Sequence, residues 1–267
     1  NMKGFSSRNL SRMFLFYKEY KDMANLPTVL ANLPWSYNYS LIEKVKDFEK
    51  RIWYAERCLE NGWSHTILIH QIESNLYQRQ LINSKLTNFK SLLPDSQKNF
   101  ALNIIKDPYI FDLIDLNEKV SERELEQTLI SQIKMLLLEL GNGFSFVGSQ
   151  YKITTKDSDY YIDLLFYHIV LKCYVVVELK NDKFKPEYVG QLNFYITAVN
   201  NTIKSSDDNP TLGLLLCKEK DKLSVEWALD GVINPIGVSS YIVGNNRDLI
   251  DLLPTEDDFN KYIEFVK

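Results

Sequence analysis

Cysteine is scarce in this chain of 267 residues: Cys58, Cys173 and Cys217 are the only three, far apart and in no CxxC pair. An odd, scattered set argues against a disulfide framework or a zinc module and fits a reducing compartment. Long apolar runs are lacking too. Stretches such as 173–177 and 212–217 fall far short of the ~20 residues that span a bilayer. The polar, basic start has no apolar core of a signal peptide, so the expected location is the cytoplasm, with no membrane partner. With 10 Gly and 8 Pro, collagen-like and low-complexity compositions are excluded. What is there is an ordinary globular mixture, 45% hydrophobic and 25% charged, enough for one large or two modest domains.

The net charge of −4 hides a gradient. Residues 1–90 hold 13 Lys and Arg against 8 Asp and Glu, whereas residues 91–267 hold 18 against 27. A basic first third suits contact with a polyanion, and an acidic remainder is compatible with ligands for a divalent cation. Solvated faces produce such a gradient equally often.

The first 90 residues read as helical. Leu10, Met13, Phe14 and Tyr17 recur at helical spacing, with Arg8 and Arg12 one turn apart. Ser40 and Glu43 form a capping box for a second helix, whose stripe Leu41, Val45, Phe48, Ile52, Ala55 and Leu59 stops near Asn61-Gly62. Ser64 caps a third, with Leu68, Ile72 and Leu76 inward, and residues 26–34 are a connector or a short helix. Pro94 and Pro108 mark a junction, so the expected domains are 1–95, a linker at 96–120, and 121–267. A second capping box, Ser121 with Glu124, opens a long helix that ends at Gly141-Asn142-Gly143. The period then becomes strand-like over 144–153, 160–168 and 173–180, the last two pairing as an antiparallel hairpin. Pro186 starts a helix over 187–200. Apolar strands follow at 212–217, 225–229 and 238–243, and a terminal helix after Pro254-Thr255. The expected fold class is a helical domain followed by a mixed α/β domain, its sheet having parallel and antiparallel neighbours.

Two predicted strands carry acids in apolar surroundings. Asp163 stands in YYIDLLF (160–166), and Glu178 and Lys180 close VVVELK (175–180). A carboxylate in such a run loses hydration and requires a partner. Glu178 and Lys180 share a strand face, and a hairpin that sets Asp163 beside Glu178 would converge two carboxylates and an ammonium. On the pattern alone two readings stay open: a buried ion pair that holds the hairpin, or a magnesium site. In the second, Asp163, Glu178 and the Leu179 carbonyl are ligands, since hard divalent cations take carboxylate and carbonyl oxygens. The cation would acidify water and offset charge on a phosphodiester. Lys180 would orient or deprotonate that water, or stabilise the pentavalent phosphorus.

Neighbouring residues extend the set. Glu126 shares a helix face with Leu129 and Ile133, either as an inward acid or at a solvated edge. Gln191 and Tyr195, at i and i+4, share a face; Gln191 suits a metal-bound water or a phosphate oxygen and Tyr195 the substrate backbone, although amphipathicity alone explains both. Gln150, next to Tyr151, either faces the same centre or is a surface glutamine. Lys183 and Lys185, in a loop after the ExK strand, and Arg8 and Arg12 are candidate phosphate contacts or plain solvated charges. His65, His70 and His168 show no metal-binding spacing and read as packing or surface residues. Trp35, Trp53, Trp63 and Trp227 read as core and interface residues.

Taken in order, the helix Glu, the D…ExK pair and the QxxxY helix resemble the PD-(D/E)xK nuclease superfamily, in particular its RecB-like branch. The segments GFSSRNLSRMFLFY (4–17), ENGWSHTILIHQIESNLYQR (60–79), LLLELGNGFSFVGSQY (136–151), YYIDLLFYH (160–168), VVVELKNDKFKPEYVGQLNFYI (175–196) and GLLLCK (213–218) resemble the bacterial YhcG-like family more closely still. That resemblance implies an N-terminal winged-helix-like DNA-binding domain and a restriction-endonuclease-like core with a mixed sheet flanked by helices. It implies an endonuclease dependent on Mg²⁺, for which Mn²⁺ can substitute, acting on duplex or branched DNA in processing or defence, and compatible with a homodimer. Asp163, Glu178 and Lys180 match the motif residues, and Glu126, Gln191 and Tyr195 match accessory positions. Ile162 stands where the superfamily has Pro, and the start is short enough that the first helix of the DNA-binding unit is expected to be missing. The competing expectation is a nucleic-acid-binding or complex-assembly protein with a vestigial nuclease centre.

Overall fold

The described residues among the first 78 form helices joined by turns and loops, and local signals account for several of the helix ends. In this computed structural model, which describes residues 5–81, 85–111 and 121–243, the chain divides into two units, Asn1–Gln78 and Arg79–Lys267. The division falls well before the expected linker at 96–120. The first unit opens with α1 (Ser7–Tyr20), capped by the Ser6 side chain. Its apolar stripe faces solvent: Phe14 and Tyr17 are 67% and 63% exposed, whereas Tyr20 is buried. Residues 26–34 contain a short helix, α2 (Thr28–Ala31).

The single helix expected from Ser40 is instead two, α3 (Trp35–Lys44) and α4 (Phe48–Asn61). Val45 turns extended and Asp47 recaps the chain by accepting from the Lys50 amide, a cap that a continuous apolar stripe concealed. Ser40 lies inside α3 and its hydroxyl meets His65 Nε2 at 2.9 Å. Gly62, in the left-handed conformation, ends α4, and Ser64 caps α5 (His65–Glu73) as expected. α6 (Leu76–Leu81) follows. Leu30, Leu41, Tyr54, Ala55 and Leu68 form the unit's core. The buried Arg51 guanidinium donates to Tyr20, Glu19 and the Val45 and Lys46 carbonyls. Among the described residues of this unit there is no β-wing.

Among the described residues, the second unit is built on a seven-stranded sheet. Its elements are β1 (Leu86–Thr87), α7 (Phe89–Leu92), α8 (Asp95–Ile104), β2 (Tyr109–Phe111), α9 (Glu122–Ser131), α10 (Ile133–Leu140), β3 (Phe144–Thr154), β4 (Asp159–His168), β5 (Cys173–Lys183), α11 (Pro186–Thr202), β6 (Leu212–Glu219), α12 (Lys222–Leu229) and β7 (Ile236–Val243). The order is β1-β7-β6-β5-β4-β3, with β2 also pairing β7. β4 runs antiparallel to both β3 and β5, and β5, β6 and β7 are parallel, which is the expected mixed sheet. Thus residues 86–87 and 109–111, expected in the first domain and the linker, are strands of this sheet. Residues 225–229, expected as a strand, belong to α12, whose cap Asp221 accepts from the Ser224 amide. The Ser121–Glu124 capping box forms, but its long helix divides at Gln132. The helix expected after Pro254 lies outside the described residues.

Strand alternation sends side chains into two cores. Leu164, Phe166, Val175, Val177 and Leu216 pack with α9 and α10, and Leu165, Val176, Leu215 and Cys217 pack with α11 and α12. The first core also encloses charge. Glu139, 2% exposed, accepts from Arg79 at 2.5 Å and from the Ile110 amide at 2.9 Å, and Lys106 donates to its carbonyl. Burial alone would raise the Glu139 pKa, but Arg79, Lys106 and the Ile110 amide outweigh it and hold it below the ordinary value. Removing the carboxylate strands two buried cations. Glu139→Ala is expected to lower unfolding free energy by about 3–5 kcal/mol, measured by urea denaturation.

Candidate active site

The backbone ladder between β4 and β5 stops at Leu164 and Val177. Continued one step, that register sets Asp163 opposite Glu178, and here side chains take over from backbone. The Leu179 amide donates to Asp163 Oδ2 at 2.9 Å, and the Asp163 amide donates to Glu178 Oε1 at 3.4 Å. Packing accounts for the opening. Ile162 and Leu165 join the core under α11 while Leu164 and Phe166 join the other, so the in–out alternation slips at Asp163.

Lys180 lies two residues beyond Glu178 and so on the same face. Its Nζ is 3.3 Å from Glu178 Oε2 and 3.9 Å from Glu122 Oε2, with the Tyr188 ring centroid 5.4 Å away. Glu122 also accepts from the Asn181 amide at 3.1 Å. From β3, Gln150 donates to Glu126 Oε2 at 2.6 Å and to Asp163 Oδ1 at 3.3 Å. Glu126 is therefore an inward acid, only 6% exposed. On α11, Gln191 donates to the buried Tyr195 hydroxyl at 3.1 Å. Burial chiefly raises the Tyr195 pKa, and the charges of Glu178 and Asp163 add to it.

Three carboxylates thus surround one lysine, with Glu126 tied to Asp163 through Gln150, and their ionisation reflects it. Glu178, 1% exposed, is pushed up to about 8, first by burial and then by Asp163. Burial also raises Asp163, despite the Leu179 amide and Lys180, and raises Glu126 despite Gln150. Burial would lower Lys180, but Glu178, Asp163 and Glu122 together hold it above its ordinary value. Buried acids whose charged form is disfavoured for want of positive charge are a donor set that a hard cation would relieve. Asp163, Glu178 and the Leu179 carbonyl fit that chemistry. Among the described residues no three His, Cys, Asp or Glu side chains form a cage of their own, and Mg²⁺ commonly takes one or two carboxylates and keeps waters.

The remaining candidates have other partners or face solvent. Lys183 is no loop residue but closes β5, where it is exposed, and Lys185 lies in the short connection as the N-cap of α11, paired with Asp182 at 2.6 Å. In the first unit Arg8 is exposed, while Arg12 stacks 3.5 Å from the Tyr39 ring centroid and lies 3.4 Å from Glu43. The histidines serve packing: His168 is fully buried, its Nδ1 accepting from the Leu171 amide. Trp35, Trp53 and Trp63 are partly buried, whereas Trp227 is 72% exposed on α12 and so is not a core residue. Glu122 is the acid that the sequence reading missed. Its signal was present, since it stands four residues before Glu126 and so on the same helix face.

A carboxyl whose pKa rises on folding opposes folding once it must ionise. The stability of the metal-free protein is therefore expected to fall as pH rises from about 4.5 to about 8 through the Glu178 titration. Urea denaturation in EDTA at several pH values should show this slope, with Glu178→Gln flattening it and Mg²⁺ reducing it.

Comparison with known proteins assigns the chain to a family. The YhcG PDDEXK nuclease domain model matches residues 102–254, and the DUF1016 N-terminal domain model matches residues 1–79. "Putative nuclease YhcG" of Escherichia coli (strain K12) is 31% identical over 269 residues, covering 90% of this chain and 72% of that protein. Among solved structures, a repair endonuclease from Pyrococcus abyssi aligns at 15% identity and a TM-score of 0.32, covering 49% of this chain and 50% of its own. An EndoMS–double-stranded DNA complex aligns at 14% identity and 0.33, covering 51% and 48%. The chain spans about half the length of these two solved structures. With a nuclease-domain match over more than half of its residues, the chain belongs to the YhcG family of PDDEXK nuclease-domain proteins.

Proposed function

We propose that this protein is a Mg²⁺-dependent DNA endonuclease whose hydrolytic centre is the Asp163–Glu178–Lys180 cluster. The observation that carries this reading is the meeting of Asp163 and Glu178 where the β4–β5 ladder opens, with Lys180 against Glu178. Asp163, Glu178 and the Leu179 carbonyl would hold the cation, and Mn²⁺ would be accepted in the same oxygen-rich set. When bound, the cation lowers the pKa of water and offsets negative charge on the phosphodiester.

The chain's own residues supply the rest. A lysine held between Glu178 and Glu122 keeps its proton, so Lys180 acts as a cationic donor toward the reacting phosphate rather than as a base. The Leu179 amide aims one Asp163 oxygen, which fixes the acid's orientation before substrate arrives. Gln191 and Tyr195, already joined on one helix face, would position the substrate backbone. In the basic first unit, the exposed Arg8 would touch DNA phosphates, as would Lys183 in the second. Arg12 and Lys185, being held by Glu43 and Asp182, would contribute less.

The test is cleavage of linear duplex, single-stranded, flapped and four-way DNA with Mg²⁺. Asp163→Ala and Lys180→Ala are each expected to reduce cleavage at least about a hundredfold, and EDTA to abolish it. Cleavage that survives both substitutions would reject this centre. DNA binding with no turnover on any form would favour a vestigial one.

A further inference from the structure

Gln150 is the one residue of β3 in the left-handed backbone region, with φ 44°. A residue with a long side chain adopts that conformation only when something holds it there, and such outliers concentrate at functional sites. The neighbouring register, Ser149 against Leu164 and Tyr151 against Ile162, places Gln150 across from Asp163. Its amide nitrogen donates to a carboxylate oxygen of Glu126 and to one of Asp163, at 2.6 and 3.3 Å. A single donor thus sits between two acids, where a cation would serve the same electrostatic purpose. Glu126 is buried and Asp163 partly so, but Gln150 is exposed and free to swing into water without disturbing the core.

We propose that Gln150 is a displaceable stand-in for a cation, and that any divalent ion engaging Glu126 and Asp163 together must first push its amide aside. Gln150 then sets the affinity of that half of the centre and keeps the two acids apart when no cation is bound. The inference rests on reading the cluster as a cation site. It does not require that DNA be the substrate.

The decisive measurement is Mn²⁺ affinity, by calorimetry and electron paramagnetic resonance, on the full chain as wild type, Gln150→Asn, Gln150→Ala and Asp163→Asn. Asparagine tolerates the left-handed backbone but is one methylene too short to bridge both acids, so it separates reach from strain. Loss of hydrogen bonds to charged groups that compete with the ion should make both Gln150 variants bind Mn²⁺ roughly tenfold more tightly. In the wild type, Mg²⁺ should move the Gln150 side-chain amide resonances toward those of a solvent-exposed amide. Equal or weaker Mn²⁺ affinity in both Gln150 variants, with circular dichroism unchanged, would overturn the proposal, as would amide resonances indifferent to Mg²⁺. If Asp163→Asn abolishes Mn²⁺ binding in that case, the cation-site reading stands and this inference alone falls. Mn²⁺ binding insensitive to Asp163→Asn would remove both.

Discussion

The second unit depends on a local failure of β-pairing. β4 and β5 exchange backbone hydrogen bonds up to Leu164 and Val177, and beyond that pair two acids and an amide do the joining. Had the ladder continued, Asp163 and Glu178 would be ordinary cross-strand neighbours, like charges directly opposed and each costing stability. Opening the strands lets Asp163 turn toward the Leu179 amide and gives Glu178 a lysine, so the repulsion becomes a held electrostatic demand for more positive charge. The two cores keep this arrangement in place, because Ile162 and Leu164 are buried in different layers on either side of the irregularity.

The surrounding helices answer that demand only partly. α9 presents Glu122 and Glu126, which add negative charge, and β3 contributes one neutral amide. Lys180 is the single side-chain cation in contact with Glu178 in the hydrogen bonds and ion pairs described. The result differs from the Arg79–Glu139–Lys106 cluster in the same unit, where two cations close over one acid and the carboxyl lies below its ordinary pKa. In one buried charge cluster the cations outnumber the acid, and it reads as structural. The other is left wanting, and that contrast within one molecule supports the proposed reading of it as a cation centre.

Much of this was legible in residue order. Serine caps at 64 and 121, the capping box with Glu124, Gly62 and Pro186 act over one helical turn, so their signals survive into the fold unchanged. The D…ExK pattern placed Glu178 and Lys180 on one face through strand geometry alone. Failures came where a local signal met a competitor. Ser40 and Glu43 had the spacing of a capping box, yet Asp47 offered a better cap and Ser40 was taken by His65. Residues 225–229 were apolar enough for a strand, but Asp221 capped them into a helix. The stripe of α1 had the period of a buried face and is exposed, since periodicity reports a face and not what covers it.

By itself the sequence determined the helical first third, the β-hairpin, the following helix at Pro186 and the identity of the acids and lysine, because each follows from neighbours within a few residues. Only the tertiary structure decided that residues 86–87 and 109–111 join the sheet, that Glu122 reaches Lys180, and that Gln150 lies between Glu126 and Asp163. Those are contacts across tens of residues. They are set by how strands splay and layers pack, and no short-range spacing encodes that.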